Sequence, residues 1–257
     1  TLFFFVPYTE SLFFAFSTII ILGMMDRSVW MILLGLFLCS ITRPTFTTLL
    51  PAVVVAVSIS NPTRLARVPL IALCLLACTF GLALVSAIQY ADTGEWFGFY
   101  SAQQGWGNKL QWPSIPLGSW GGDDIVRLDA VALLVGLTSL YILIREFVTS
   151  VKNPGTRPSP TLIVSLGSLA FVAILVLVLR GGQLFSLNRF VFCTPFFLVL
   201  LSHITDRKTA VGWKPLFVLL ISLQLYFMSF GSMVHIQNLM KFTMVVAYLL
   251  LAVIATS

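Results

Sequence analysis

The sequence predicts an all-α, polytopic bundle of membrane helices forming one domain over 1–257, and three observations carry that prediction. Hydrophobic residues make up 58% of the chain and charged residues only 9%, where a soluble domain holds about a quarter charged. Mean hydropathy is +1.00. Apolar runs follow one another between charged residues, at 11–25, 28–41, 45–60, 68–90, 128–144, 160–179, 190–205, 215–231 and 242–256. A bilayer-crossing helix needs about 20 such residues, fewer where it is short or broken. About eight or nine membrane segments are therefore expected, with one long extracytoplasmic loop at 91–126.

The elements can be justified in order. The first run follows Pro7-Tyr8-Thr9-Glu10-Ser11; a carboxylate at the mouth of a hydrophobic span costs free energy and marks a site by default. Only Thr42-Arg43-Pro44 separates the second and third runs. Proline breaks a continuous helix there and pushes the residue before it out of helical geometry. The runs 68–90 and 160–179 are nearly free of charge. Between them, 91–126 carries Trp96, Trp106, Trp112 and Trp120, with Phe97, Phe99 and Tyr100. Such a loop forms either an interfacial aromatic belt or a platform for sugars and prenyl chains. Pro113, Pro116, Gly118, Gly121 and Gly122 predict irregular backbone in its second half. The run at 190–205 opens behind Ser186-Leu187-Asn188-Arg189.

Basic residues flanking the runs set an orientation. Placing Arg27, Arg64, Arg67, Arg145, Lys152, Arg157, Arg207, Lys208 and Lys214 on the cytoplasmic side is consistent if 28–41 and 45–60 form a hairpin. Glu10, Arg43, the loop 91–126 and the Ser186–Arg189 turn then share the extracytoplasmic face. So do Asp92, Glu95, Asp123, Asp124 and Asp129. This convergence on one face is the physical argument for a site.

Several function classes drop out. No P-loop, dinucleotide fingerprint, nucleophile elbow or HExxH is present. The net charge of +6 is scattered, which suits loops of a membrane protein and not a nucleic-acid footprint. Cys39, Cys74, Cys78 and Cys193 lie in apolar runs and read as buried free thiols. His203 and His235 stand far apart, so no zinc signature exists. The chain opens inside an apolar stretch without an initiator Met or basic n-region; an upstream span and first loop are expected before Thr1.

Three polar knots remain. Glu10 suits a general base, a sugar-hydroxyl acceptor or a helix cap. Arg43 suits bidentate capture of a phosphate, or snorkelling to the interface. Arg189 would meet either headgroups or the phosphate of a lipid-linked substrate, while Arg180 leans toward headgroups. Asp123 and Asp124 are either a divalent-cation site or a solvated pair; no residue is assigned as a metal ligand. Two arginines, a carboxylate and an aromatic loop fit an enzyme taking a sugar from a lipid phosphate. Fixed positive charge stabilises the leaving phosphate, and a carboxylate takes the acceptor's proton.

At this point the residues resemble a family. Pro7-Tyr8-Thr9-Glu10-Ser11-Leu12-Phe13, Thr42-Arg43-Pro44-Thr45 and Ser186-Leu187-Asn188-Arg189-Phe190 look like the PIG-V-like mannosyltransferases of the GT-C superfamily. So does Gly94-Glu95-Trp96-Phe97-Gly98-Phe99 through Gln103 and Trp106-Gly107. The resemblance implies inverting transfer of mannose from a polyprenyl-phosphate donor at the extracytoplasmic face, to a lipid, glycan or protein acceptor. It also implies an essential acid in a first external loop after an N-terminal span, expected either before Thr1 or, in a shortened relative, to be missing; Glu10 is the nearest substitute in this sequence. Carried over, Glu10 is catalytic, Arg43 and Arg189 bind the donor phosphate, and Tyr8, Trp106 and Asn188 line the substrate site.

The alternatives are a non-catalytic membrane subunit and a transporter or flippase of a lipid-linked solute. A conduit needs polar residues strung across the bilayer, whereas here they crowd one face. The absence of a retention signal or glycosylation sequon favours a bacterial plasma membrane over the endoplasmic reticulum.

Overall fold

The structure, a computed structural model, describes residues 9–43, 46–60, 64–105, 107–115, 117–119, 123–153 and 157–206. Nine helices run through them: α1 (Thr9–Met25), α2 (Val29–Thr42), α3 (Phe46–Ser60), α4 (Arg64–Thr93), α5 (Gly98–Gly105), α6 (Asp123–Lys152), α7 (Pro160–Leu179), α8 (Leu187–Phe192) and α9 (Pro195–Asp206). No strand accompanies them among the described residues, so the expected all-α class is observed.

The helices begin and end where local chemistry demands. Ser159 caps α7, its hydroxyl accepting from the Leu162 amide at 3.2 Å, and Pro160 occupies the first helical position, where its missing N–H is harmless. α2 stops at Thr42, and Arg43 takes an extended backbone, as the residue before proline must. The apolar run at 190–205 is interrupted: α8 ends at Phe192 and α9 starts at Pro195.

α7 is the hub. Leu162, Ile163, Val164, Leu166, Leu169, Val172, Ala173 and Val176 are all buried on it, and α3, α6 and α9 pack around it. Apolar lipid offers little drive for helices to associate, so close packing of small residues matters. Gly136 of α6 supplies it, since a Cβ there would collide with the Ala173 methyl of α7. Two buried hydroxyls are satisfied within their own helices, Ser17 on the Phe13 carbonyl and Ser139 on the Val135 carbonyl at 2.8 Å, whereas those of Ser165 and Ser168 on α7 have no hydrogen-bond partner among the described residues. α2 lies between α1 and α4, while α3 turns away to α7. The expected 28–41/45–60 hairpin is thus two helices packed mainly on different neighbours.

Among the described residues three helices are long and apolar enough to cross a bilayer, Arg67–Thr93, Arg127–Lys152 and Pro160–Leu179, the mark of an integral membrane protein. α1, α2, α3 and α9 are shorter, at 17, 14, 15 and 12 residues. At ~1.5 Å per residue the 14-residue α2 reaches only ~21 Å of a ~30 Å core. The runs at 215–231 and 242–256 lie outside the described residues. α4 turns Val68, Leu76, Phe80 and Ile88 outward, as a lipid-facing helix would.

The first part of the segment 91–126 is helical. α4 extends to Thr93 and α5 fills Gly98–Gly105. Trp96 stacks on Tyr90 with ring centroids 4.5 Å apart, folding the turn between them back on α4. Residues 107–115 and 117–119 then form a strap across the C-terminal end of α7. Lys109 and Gln111 amides donate to Leu179 and Val178 carbonyls at 2.8 and 3.0 Å, and Ser114 and Gly118 amides to Gly181 and Gly182. The last carbonyls of a helix have no partner within it; the strap supplies two. Gly182 has φ +92, and a Cβ there would meet the Ser114 carbonyl at 2.7 Å, so glycine permits this approach.

Candidate functional site

The N-terminal ends of α1, α6 and α8 and the C-terminal ends of α2 and α7 meet at one end of the bundle. There the polar knots join. Glu10, in the first turn of α1, is fully buried. Its Oε1 accepts from Arg189 Nε at 2.7 Å and also contacts Arg189 Nη2. The same oxygen lies 3.2 Å from Arg43 Nη2. One carboxylate therefore holds two guanidiniums that lie 146 positions apart in sequence (Arg43 and Arg189), and the triad carries one net positive charge. Glu10 Oε2 has no hydrogen-bond partner among the described residues.

Local structure sets each arm. The pre-proline backbone holds Arg43 at the end of α2, and its guanidinium sits 4.9 Å from the Phe190 ring centroid. Desolvation lowers the Arg43 pKa, with Glu10 opposing that shift and Arg189 adding to it. The Arg43 side chain is 11% exposed and that of Arg189 28%, so the pair is desolvated yet open on the Arg189 side. Arg189 stands in α8, which is entered through Ser186 in left-handed geometry at φ 64.

A second buried carboxylate adjoins the triad. Asp129 Oδ2 accepts from the Ser119 hydroxyl at 2.6 Å, and Oδ1 from the Asn188 amide at 2.9 Å. Arg180 lies close by: its Nε donates to Asn108 Oδ1 at 3.0 Å, its Nη1 to the Phe185 carbonyl, and its guanidinium covers the Phe185 ring. Burial lowers its pKa to about 10, with the Asp129 charge opposing. Arg180 thereby ties the strap to the α7–α8 turn.

The structure thus brings Glu10, Arg43, Asn188 and Arg189 together. Asn188 contributes its backbone amide, given to Asp129. Tyr8 and Trp106 lie outside the described residues. Asp123 and Asp124 open the first turn of α6, where the helix dipole favours carboxylates; their side chains lie outside the description. Among the described residues no cluster of three His, Cys, Asp or Glu could hold a metal. All four cysteines are free and buried.

Asp129 is the residue that sequence reasoning missed as a site member. It was counted only among the acids of one face, although an ionisable residue inside an apolar run is itself a signal. Asn108 and Ser119 carried no comparable signal.

Chemically, two guanidiniums presented side by side suit a singly or doubly charged oxyanion. The carboxylate between them has one oxygen shared by both cations and one buried oxygen without a hydrogen-bond partner among the described residues. No protein-family model, no curated protein and no solved structure matches this chain.

Proposed function

We propose that this chain is a membrane glycosyltransferase of GT-C type that moves a hexose, mannose by resemblance, from a polyprenyl-phosphate donor at the extracytoplasmic face. In this reading the membrane holds eight or nine segments, with the shorter helices completing the bundle. The observation that supports it best is the convergence of Arg43 and Arg189 on Glu10. Two fixed cations at the mouth of a hydrophobic bundle match a donor with a phosphate head and a prenyl tail. They would hold the diester and stabilise the charge that develops as the sugar–phosphate bond breaks.

Glu10 holds the two guanidiniums through Oε1 and leaves Oε2 to accept the proton of an acceptor hydroxyl. In this reading positioning and phosphate stabilisation supply most of the rate. A second reading, a non-catalytic membrane subunit, is favoured by the shared Oε1: an ion triad can simply tie α1, α2 and α8 together.

Binding of radiolabelled polyprenyl-phosphate mannose to the purified chain tests the reading. Arg43→Ala and Arg189→Ala each leave a neutral pair with Glu10, so the fold persists while affinity drops at least about tenfold, the scale of one charge-assisted contact. Unchanged binding in both variants supports the tie instead.

A further inference from the structure

α8 has six residues, too few to hold a helix by its own hydrogen bonds. It is entered through Ser186 at φ 64, a left-handed conformation that a serine adopts at a cost and keeps only when its surroundings enforce it. Asp129 is bonded to this backbone. The carboxylate accepts from the Asn188 amide at 2.9 Å and from the Ser186 amide, the two amides flanking the start of the helix. Its other oxygen takes the Ser119 hydroxyl at 2.6 Å. Ser119 belongs to the strap, which is fixed to the C-terminal end of α7 by main-chain bonds from Lys109 and Gln111 and to the turn after it by those from Ser114 and Gly118. Asp129 itself rides on α6, packed against α7.

A carboxylate fully buried inside an apolar run is costly, and this one spends its charge on the backbone that presents the next residue, Arg189. We propose that Asp129 is a positioning residue of the anion site: by fixing the Ser186–Asn188 backbone to α6 and the strap, it aims the Arg189 guanidinium at Glu10 and at the phosphate. This rests on the phosphate reading of the Arg43–Arg189 pair. Asp129 touches no ligand; it acts through Arg189, and the strap acts through Asp129. An aspartate suits this duty better than a hydroxyl because one side chain must accept three donors from two directions.

The test is a double-mutant cycle on the full chain in detergent, with citronellyl phosphate as the probe. Asp129→Asn keeps the shape and loses the charge and one acceptor. It is expected to raise Kd about tenfold, the scale of one charge-assisted hydrogen bond. Ser119→Ala, which leaves the carboxylate in place, is expected to raise Kd about threefold. In an Arg189→Ala background both effects vanish, because the residue they act through is gone; in an Arg43→Ala background they persist. Unchanged Kd in both single variants overturns the proposal, as does a loss that persists undiminished without Arg189, the behaviour of general destabilisation. If Asp129→Asn does not fold, Ser119→Ala and its two cycles decide alone. An Arg189→Ala variant that binds the probe like the wild type instead sinks the phosphate reading itself.

Discussion

Replacing Glu10 by glutamine should move stability and anion affinity in opposite directions. Glu10 is fully buried, and its Oε1 serves Arg189 at 2.7 Å and Arg43 at 3.2 Å. Glutamine keeps the shape but removes the counter-charge that the two guanidiniums share. Breaking a buried ion pair from one side costs about 3–5 kcal/mol. For a chain of this length each kcal/mol is worth roughly 2–4 °C, so the apparent melting temperature in detergent should fall by about 10 °C. The site, however, changes from one net positive charge to two. Charges about 4 Å apart interact by about 4 kcal/mol at an effective dielectric of 20. With solvent and salt reducing this, the probe citronellyl phosphate should bind about tenfold more tightly, a gain of about 1.4 kcal/mol. The measurements are a thermal-shift assay without ligand and a titration with the probe. A variant that melts like the wild type and binds the probe more weakly would refute the reasoning, because Glu10 would then be a ligand contact and not the counter-ion of the pair. If Glu10 is also the proton acceptor, the same variant binds donor well and turns it over poorly, which separates the two duties.

Other consequences follow from the same contacts. Arg180→Ala removes the link between Asn108 of the strap and the α7–α8 turn; hydrogen exchange at Lys109, Gln111 and Ser114 should speed up at least about tenfold, while that of the α7 interior stays slow. Gly136→Leu forces a side chain into Ala173 across the α6–α7 contact and should destabilise the bundle by about 1–3 kcal/mol, read as a lower melting temperature without loss of membrane insertion. Arg43→Ala and Arg189→Ala should leave the protein in the membrane at wild-type levels, since each leaves Glu10 with one partner. Equal loss of membrane-inserted protein would point to the structural tie.

Much of this architecture is legible in the sequence because apolar runs interrupted by charge are a strong, local signal. The run at 160–179 coincides with α7 because Ser159-Pro160 is a start signal and Arg180 a stop. The break at Arg43 was readable from Pro44 alone. Span lengths were less legible. Counting apolar residues does not reveal that Cys193-Thr194 separates α8 from α9, or that α2 and α3 stop at 14 and 15 residues. Hydropathy also says nothing about neighbours, so the partners of α2 and α3 were not predictable.

The site divides in the same way. Glu10, Arg43 and Arg189 stand out because ionisable residues are rare in an oily chain, and a topology argument sufficed to gather them on one face. Their ion triad could not be read, since Glu10 and Arg189 lie 179 positions apart. Asp129 escaped because its partners are two backbone amides and a serine hydroxyl, and backbone donors leave no mark in a sequence. The strap escaped for a related reason: its bonds to α7 and to Gly181 and Gly182 are mostly main chain to main chain.

The most direct measurement of the central claim is sugar transfer from radiolabelled polyprenyl-phosphate mannose in membrane vesicles, comparing wild type with Arg189→Ala at matched protein levels. The account predicts transfer by the wild type and its loss in the variant, with the variant still in the membrane. Wild-type turnover by Arg189→Ala, or no transfer by a folded wild type that also fails to bind the donor, would contradict it.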